Sequence, residues 1–243
     1  MRELLVAELG IVRYADALEL QRDLARRRIT GEIAEDVLLL VEHPPVVTLG
    51  RTAKSANLVA SRELLSARGV ELFDVERGGD ITFHGPGQLV GYPIVDLKRH
   101  RQDLHWYLRQ VEEALIRGVG AFGIEAGRVD KYTGVWVDVG RDSRRKLASI
   151  GVHARDWVTW HGFALNVTTD LRYFDLIVPC GISDVVMTSV AREVEAGSVV
   201  MRDVSGAVVR AFAEVFDLVP RIVDRGALEI EPTERLAPAV ADH

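Results

Sequence analysis

The chain has one cysteine in 243 residues, Cys180, so no disulfide can form within it. That scarcity points to a reducing compartment, and a cytoplasmic location is expected. Long apolar runs are missing too. The longest strongly apolar stretch, VLLLV at Val37–Val41, is far short of the ~20 residues that a bilayer span needs. The opening MRELLVAELG carries Glu3 and Glu8 inside its apolar stretch and lacks the basic start and small-residue cleavage site of a secretory signal. No GxxxxGK[ST] phosphate loop and no GxSxG occur. The seven histidines are scattered without HxxxH or HExxH spacing, and one cysteine is a poor basis for zinc. Neither a metal nor a cofactor is expected. A formal net charge of −6 argues against general nucleic-acid binding.

What remains is ordinary globular material, 48% hydrophobic and 27% charged, enough for a substantial core. One catalytic-size domain over residues 1–230 is expected, with a loose tail, EPTERLAPAVADH, at 231–243. Periodicity gives a strand at Leu4–Val12, a helix near Tyr14–Arg27, and a buried strand at Asp36–Glu42 that ends at HPP. VVTLG is another strand, and Ser61 caps a short helix to Arg68. Val70–Leu97 reads as strand segments punctuated by glycines, with Gly78-Gly79 as a hairpin signal. Asp103–Gly118 is amphipathic, with Leu104, Leu108, Val111 and Leu115 on one face. GVWVDV, Lys146–Arg155 and Val158–Val167 read as consecutive antiparallel strands, and Val204–Phe216 as a last helix. Strands cluster rather than alternate with helices. That favours an α+β fold, a mixed and mainly antiparallel sheet packed with helices.

Several residues could carry chemistry. Alternation places Lys146 on a strand face with Ala148, Ile150 and Val152. Such a lysine either snorkels to solvent or stays desolvated, and in the second case its pKa should fall. In VTWHGFALNV the apolar residues change parity at His161-Gly162, which suggests a bulge or bend, near a site or simply in a curved sheet. RGGDITFHGPGQ, Arg77–Gln88, is glycine-dense, and glycines let a backbone approach a ligand. His84 within it is either structural or part of a site. Cys180 sits in a constrained PCG turn, either as an inert core thiol or as a presented nucleophile. Two basic patches, Leu97–Arg101 and Arg141–Lys146, are either solvated surface or a dock for an acidic protein.

Taken together, HPPVVTLGR (His43–Arg51), RGGDITFHGPGQLVGYPI (Arg77–Ile94), GVWV (Gly134–Val137), RRKLASIGVHARDWVTWHGFALNV (Arg144–Val167) and FDLIVPCGI (Phe174–Ile182) resemble the octanoyltransferases of lipoate biosynthesis. The resemblance spans most of residues 35–190. It implies the biotin/lipoate protein ligase fold. It also implies transfer of an octanoyl group from octanoyl-acyl carrier protein to a lysine of lipoyl domains, in 2-oxoacid dehydrogenase complexes and the glycine cleavage H protein, by a monomer without cofactor. By the same resemblance Cys180 matches the acyl-accepting nucleophile and Lys146 the lysine that tunes it. Arg77, Gly78, Gly79, Asp80, Ile81, Thr82, Phe83, His84, then Ser149, Ile150, Gly151, and Gly162, Phe163, Ala164 match substrate-binding segments. The glycines of SIG and PCG are the candidate sources of oxyanion donors. Two rival activities remain, an ATP-dependent lipoate ligase on the same fold and a non-catalytic carrier- or fatty-acid-binding protein.

Overall fold

A computed structural model describes residues 2–140, 144–182, 185–194 and 199–228. Strand β1 (Arg2–Ile11) leads into helix α1 (Tyr14–Thr30) and then β2 (Asp36–Glu42). After the prolines come β3 (Val46–Leu49) and α2 (Arg62–Ala67), whose Ser61 cap accepts the Leu64 N–H at 3.2 Å. β4 (Glu71–Asp74), β5 (Ile81–His84) and β6 (Gln88–Ile94) precede α3 (Leu104–Gly120). The Asp103 carboxylate caps α3 by accepting the Trp106 N–H at 3.0 Å. Next are β7 (Ala126–Gly127), β8 (Val135–Val137), and the hairpin β9 (Arg145–Arg155) and β10 (Val158–Asn166). β11 (Val186–Met187), α4 (Val190–Glu193), α5 (Met201–Phe216), β12 (Leu218–Ile222) and α6 (Arg225–Leu228) complete the described elements. The tail expected at 231–243 lies outside the described residues.

Among the described residues, the main sheet runs β12-β1-β2-β6-β10-β9-β8-β7, with β11 pairing β9 from outside that path. β12, β1 and β2 are parallel, and the pairs from β2 through to β7 are antiparallel. A small second sheet has the order β4-β3-β5. The sheet is therefore mixed and mainly antiparallel, as the clustering of strands suggests.

Helices cover both faces of the main sheet. Leu4, Val6, Leu38 and Leu40 meet Val111 and Leu115 of α3 and Val208 and Phe212 of α5. The alternate residues Leu5, Ala7, Val37 and Leu39 meet Ala17 and Leu24 of α1. Burial on both sides explains the unbroken VLLLV run, since inward and outward residues alike leave water. Each such leucine contributes roughly 2 kcal/mol. The same covering accounts for β10. Val158, Trp160 and Ala164 face α1, while Phe163 and Leu165 face α3 and α5. The parity change therefore needs no slip, and the β9–β10 register runs evenly through His161 and Gly162. The expected distortion is instead a single left-handed residue, His161, at φ 56°.

Two local expectations are overturned. Gly78-Gly79 does not close a hairpin, because β4 and β5 flank β3 rather than pair with each other. Their loop is held elsewhere. Arg77 donates to the Thr48 carbonyl at 2.7 Å on β3, and Gly78 N–H donates to the Val152 carbonyl at 2.8 Å on β9. Nor does Lys146 share a face with Ala148 and Ile150. Val135 lies opposite Ala148, but the next residue, Trp136, lies opposite Lys146, so Leu147 is an extra residue in β9. This β-bulge turns Lys146 to the side of Ser149.

Candidate active site

The turn that carries Cys180 is built on its own small core. Leu171, Phe174 and Leu176 of a 3-10 turn pack with Val47, Ile81 and Phe83 beneath the second sheet. The chain then rises through Val178, whose N–H donates to the Asn57 carbonyl at 2.7 Å, into a Pro179–Gly181 turn. Cys180 has φ 57° and ψ 16°, a left-handed conformation that costs a non-glycine residue about 1 kcal/mol or more. Asp80 braces the turn. Its Oδ2 accepts from Asn57 Nδ2 at 2.6 Å, and a Cβ on Gly181 would lie 2.6 Å from that oxygen. Only glycine lets the carboxylate lie this close.

Lys146 reaches the thiol from β9. Its Nζ lies 3.1 Å from Cys180 Sγ, and Ser149 Oγ lies 3.8 Å from the same sulfur. The lysine is 1% exposed, so it does not snorkel to solvent. The side chains belong to residues 34 apart and meet because of the Leu147 bulge on one side and the left-handed turn on the other.

A cavity of about 790 Å³ opens beside the pair. Arg77, Gly78, Gly79, Asp80, Ile81, Thr82 and His84 line it, as do Ser149, Ile150, Gly151, Gly162, Phe163 and Ala164. Phe83 is the exception among the predicted residues. Strand alternation turns it away from the cavity, and it stacks on Tyr173 at 4.7 Å and meets Phe174 edge-on at 5.7 Å.

Another part of the wall is polar but uncharged. His84 Nδ1 donates to Gln88 Oε1 at 2.9 Å, because Gln88 uses its own NH₂ on the Phe83 carbonyl and Asn166. Burial brings the His84 pKa down to about 3. Behind it, His43 donates from Nδ1 to the Val12 carbonyl at 2.7 Å and accepts the Tyr92 hydroxyl at Nε2 at 2.6 Å. Burial brings His43 down to about 4 and pushes Tyr14 up to about 12. Burial also lowers the Arg77 pKa, though its guanidinium keeps its bonds to Thr48. Glu76 is held far below the ordinary carboxylate range by His161, Arg22 and the Trp160 indole N–H.

One of the glycine N–H groups expected to serve an oxyanion is already engaged: Gly181 N–H donates to the Val178 carbonyl at 3.0 Å. Among the described residues no cluster of three or more His, Cys, Asp or Glu is placed to hold a metal ion. No described helix is long and apolar enough to cross a membrane.

Residues 13–213 match the family described as lipoyl protein ligase A/B catalytic domain. An octanoyltransferase of Solibacter usitatus is 49% identical over 217 residues, which is 89% of this chain and 94% of that protein. One from Acidobacterium capsulatum is 52% identical, covering 86% of this chain and 88% of its own. The chain belongs to the octanoyltransferase family. As an octanoyltransferase it is an acyl-transfer enzyme. In three dimensions it is similar to a bipartite lipoate protein ligase of Thermoplasma acidophilum, with a TM-score of 0.72 at 19% identity, over 92% of this chain and 88% of that one. That likeness shows the shared lipoate ligase fold.

Some wall residues of this octanoyltransferase carry no sequence signal. Tyr14 opens a helix and Tyr92 sits in a strand buried on both faces, so neither breaks a pattern. Leu104, His105 and Leu108 of α3 also line the cavity, and so does the loop Lys131–Thr133. Leu104 falls on the helix's apolar stripe by its spacing, yet it is 39% exposed and lines the cavity.

Proposed function

We propose that this enzyme moves an octanoyl group from octanoyl-acyl carrier protein to a lysine amine of lipoyl domains through a thioester on Cys180. The acceptors are the lipoyl domains of 2-oxoacid dehydrogenase complexes and the glycine cleavage H protein, the protein acts as a monomer in the cytoplasm, and no nucleotide is consumed. The observation that carries this reading is the 3.1 Å approach of Lys146 Nζ to Cys180 Sγ at the wall of a cavity of about 790 Å³.

An ordinary thiol is mostly protonated at neutral pH, and an adjacent ammonium favours the thiolate. The Cys180 thiolate attacks the carbonyl carbon of the carrier thioester. The C–S bond to the carrier breaks, and the departing thiolate takes a proton from Lys146. Thioester is exchanged for thioester, so this half is near isoenergetic. In the second half the acceptor amine attacks the acyl-enzyme. Lys146, now neutral, takes the amine's proton, and Cys180 leaves as thiolate beside the restored ammonium. The product is an amide, which makes this half downhill.

The acyl chain needs a dry slot. Ile150, Phe163 and Ala164 supply apolar wall next to the thiol. At about 0.8 kcal/mol per methylene, an eight-carbon chain gains several kcal/mol there. The neutral histidines and protonated tyrosines suit the same use, because no charge has to be buried against hydrocarbon.

The decisive experiment offers octanoyl-carrier without ATP, or free octanoate with ATP, and follows octanoylation of a lipoyl domain. Product only from the first mixture, with an octanoyl adduct on Cys180 by intact mass, is expected. Product only from the second would make the protein an ATP-dependent ligase. Binding without turnover in either would make it a carrier-binding protein.

A further inference from the structure

We infer that Trp136 is a positioning residue for the acyl-transfer pair, its indole face holding Lys146 in the ammonium form by a cation–π contact. This rests on the Cys180–Lys146 reading above and adds a third member to it.

Three observations carry the inference. Trp136 and Lys146 are directly opposed across the β8–β9 ladder, and Lys146 Nζ lies 5.0 Å from the indole centroid while also 3.1 Å from Cys180 Sγ. That centroid distance is within the reach of cation–π attraction, which strengthens when both groups are out of water, and both are 1% exposed. Second, Val135 and Val137 turn into the core beneath α3 and α5, so the intervening Trp136 turns to the site side. Its indole N–H is buried and has no hydrogen-bond partner among the described residues, so the position uses the ring face and not the donor. Third, the lysine stem is trapped from behind. Gly134 has φ 133°, and a Cβ there would sit 2.8 Å from Lys146 Cε and 2.5 Å from the Ala148 carbonyl oxygen. Glu112 of α3 fixes that glycine by accepting its N–H at 3.0 Å, and the Tyr132 ring packs against Trp136 with centroids 5.9 Å apart.

The ammonium has one hydrogen-bond acceptor among the described residues, the Cys180 sulfur. Acylation removes the sulfur's charge and leaves Lys146 neutral, and the ring face then favours the proton's return to it when the acceptor amine attacks. Other charged or titratable groups surround the pair. Arg77 and Asp80 come from the β4–β5 loop, Lys131 and Tyr132 from the loop before β8, Glu112 from behind Gly134, and Arg145 with its partner Glu193 from beside it. None of them changes when the ring's electron density alone is altered.

The test therefore leaves shape intact. Tryptophan, 5-fluorotryptophan and tetrafluorotryptophan are placed at position 136 only, in otherwise wild-type protein, and alkylation of Cys180 by iodoacetamide is followed against pH. Fluorination weakens the ring's hold on the cation, so the rate near neutral pH should fall stepwise, about fivefold at full fluorination. The rates should converge at high pH, where the lysine is neutral in every protein. Lys146→Ala is measured beside them. With Lys146→Ala shifted and the fluorinated proteins superimposable on wild type, Trp136 has no such role and the Cys–Lys reading stands. If Lys146→Ala itself leaves the profile unmoved, the underlying reading fails first. In the Lys146→Ala background, fluorination should change nothing. A residual effect there would mean that Trp136 acts on the thiol by another route.

Discussion

His84, Tyr14 and Tyr92, with His43 behind them, and the group of Cys180, Lys146 and Arg77 contribute polar side chains to one cavity, yet they are wired in opposite ways. In the first group both histidines have a fixed donor role. Each donates from Nδ1 to a fixed acceptor, and His43 accepts at Nε2 as well. Burial then keeps the set neutral. In the second group Lys146 has a single sulfur and an aromatic face in place of the carboxylate that a buried ammonium ordinarily requires. Satisfied polar groups make a wall. In the proposed mechanism a charge paired with a reactive, exchangeable partner makes a catalyst, because its environment changes when the partner is acylated.

The strongest way to break this contrast is at the thiol. Cys180→Ser should remove the octanoyl adduct seen by intact mass and lower turnover by roughly a thousandfold or more. An adduct that persists on another residue would move the nucleophile elsewhere. Lys146→Ala should slow both half-reactions by about a hundredfold or more, measured in single-turnover acylation and in transfer to a lipoyl domain. If only one half slows, the lysine does not serve both proton transfers.

The neutral group predicts a different phenotype, in stability and not in turnover. His43 and His84 have folded pKa values of about 4 and about 3, below the ~6.5 of an unfolded chain. Between these values the unfolded state binds more protons than the native one. Stability contributed by keeping them neutral is present above pH ~6.5 and is lost as pH falls, by about 3 kcal/mol for His43 near pH 4. Thermal melts from neutral to acid pH check this, and His43→Gln should flatten the slope. An equally steep slope in that variant would show that other groups drive the acid loss. The smallest effect concerns docking. Lys98 lies 4.0 Å from Asp96 and Arg101 3.3 Å from Asp103, so the basic patch before α3 is partly neutralised by its own neighbours. Reversing both charges should raise KM for the acyl carrier a few-fold at low salt and less at high salt. An unchanged KM at low salt would return the patch to plain surface.

Much of this site was legible because the motifs are long and irregular. RGGDITFHGPGQ, KLASIG and VPCGI name three of the segments that line the cavity, the Cys–Lys pair among them. The Cys180–Lys146 contact was not legible from strand parity, which put the lysine on the wrong face. A one-residue bulge at Leu147 reverses parity, and no residue there announces it. The Gly78-Gly79 hairpin failed for a similar reason, since local turn chemistry cannot foresee that Arg77 will anchor on Thr48. Phe83 sits within a site motif and faces a different core, because adjacent strand residues point to opposite sides.

Asn57 gives the assembly a kinetic consequence. It holds the Cys180 turn by its backbone and braces Asp80 by its side chain, so the thiol's surroundings come from positions 57, 80, 146 and 180 at once. Loops of this length close late in folding, after local helices and hairpins have formed. The reactivity of the lone thiol during refolding is thus a clock for the final closure of the chain. It should lag behind the return of helical signal.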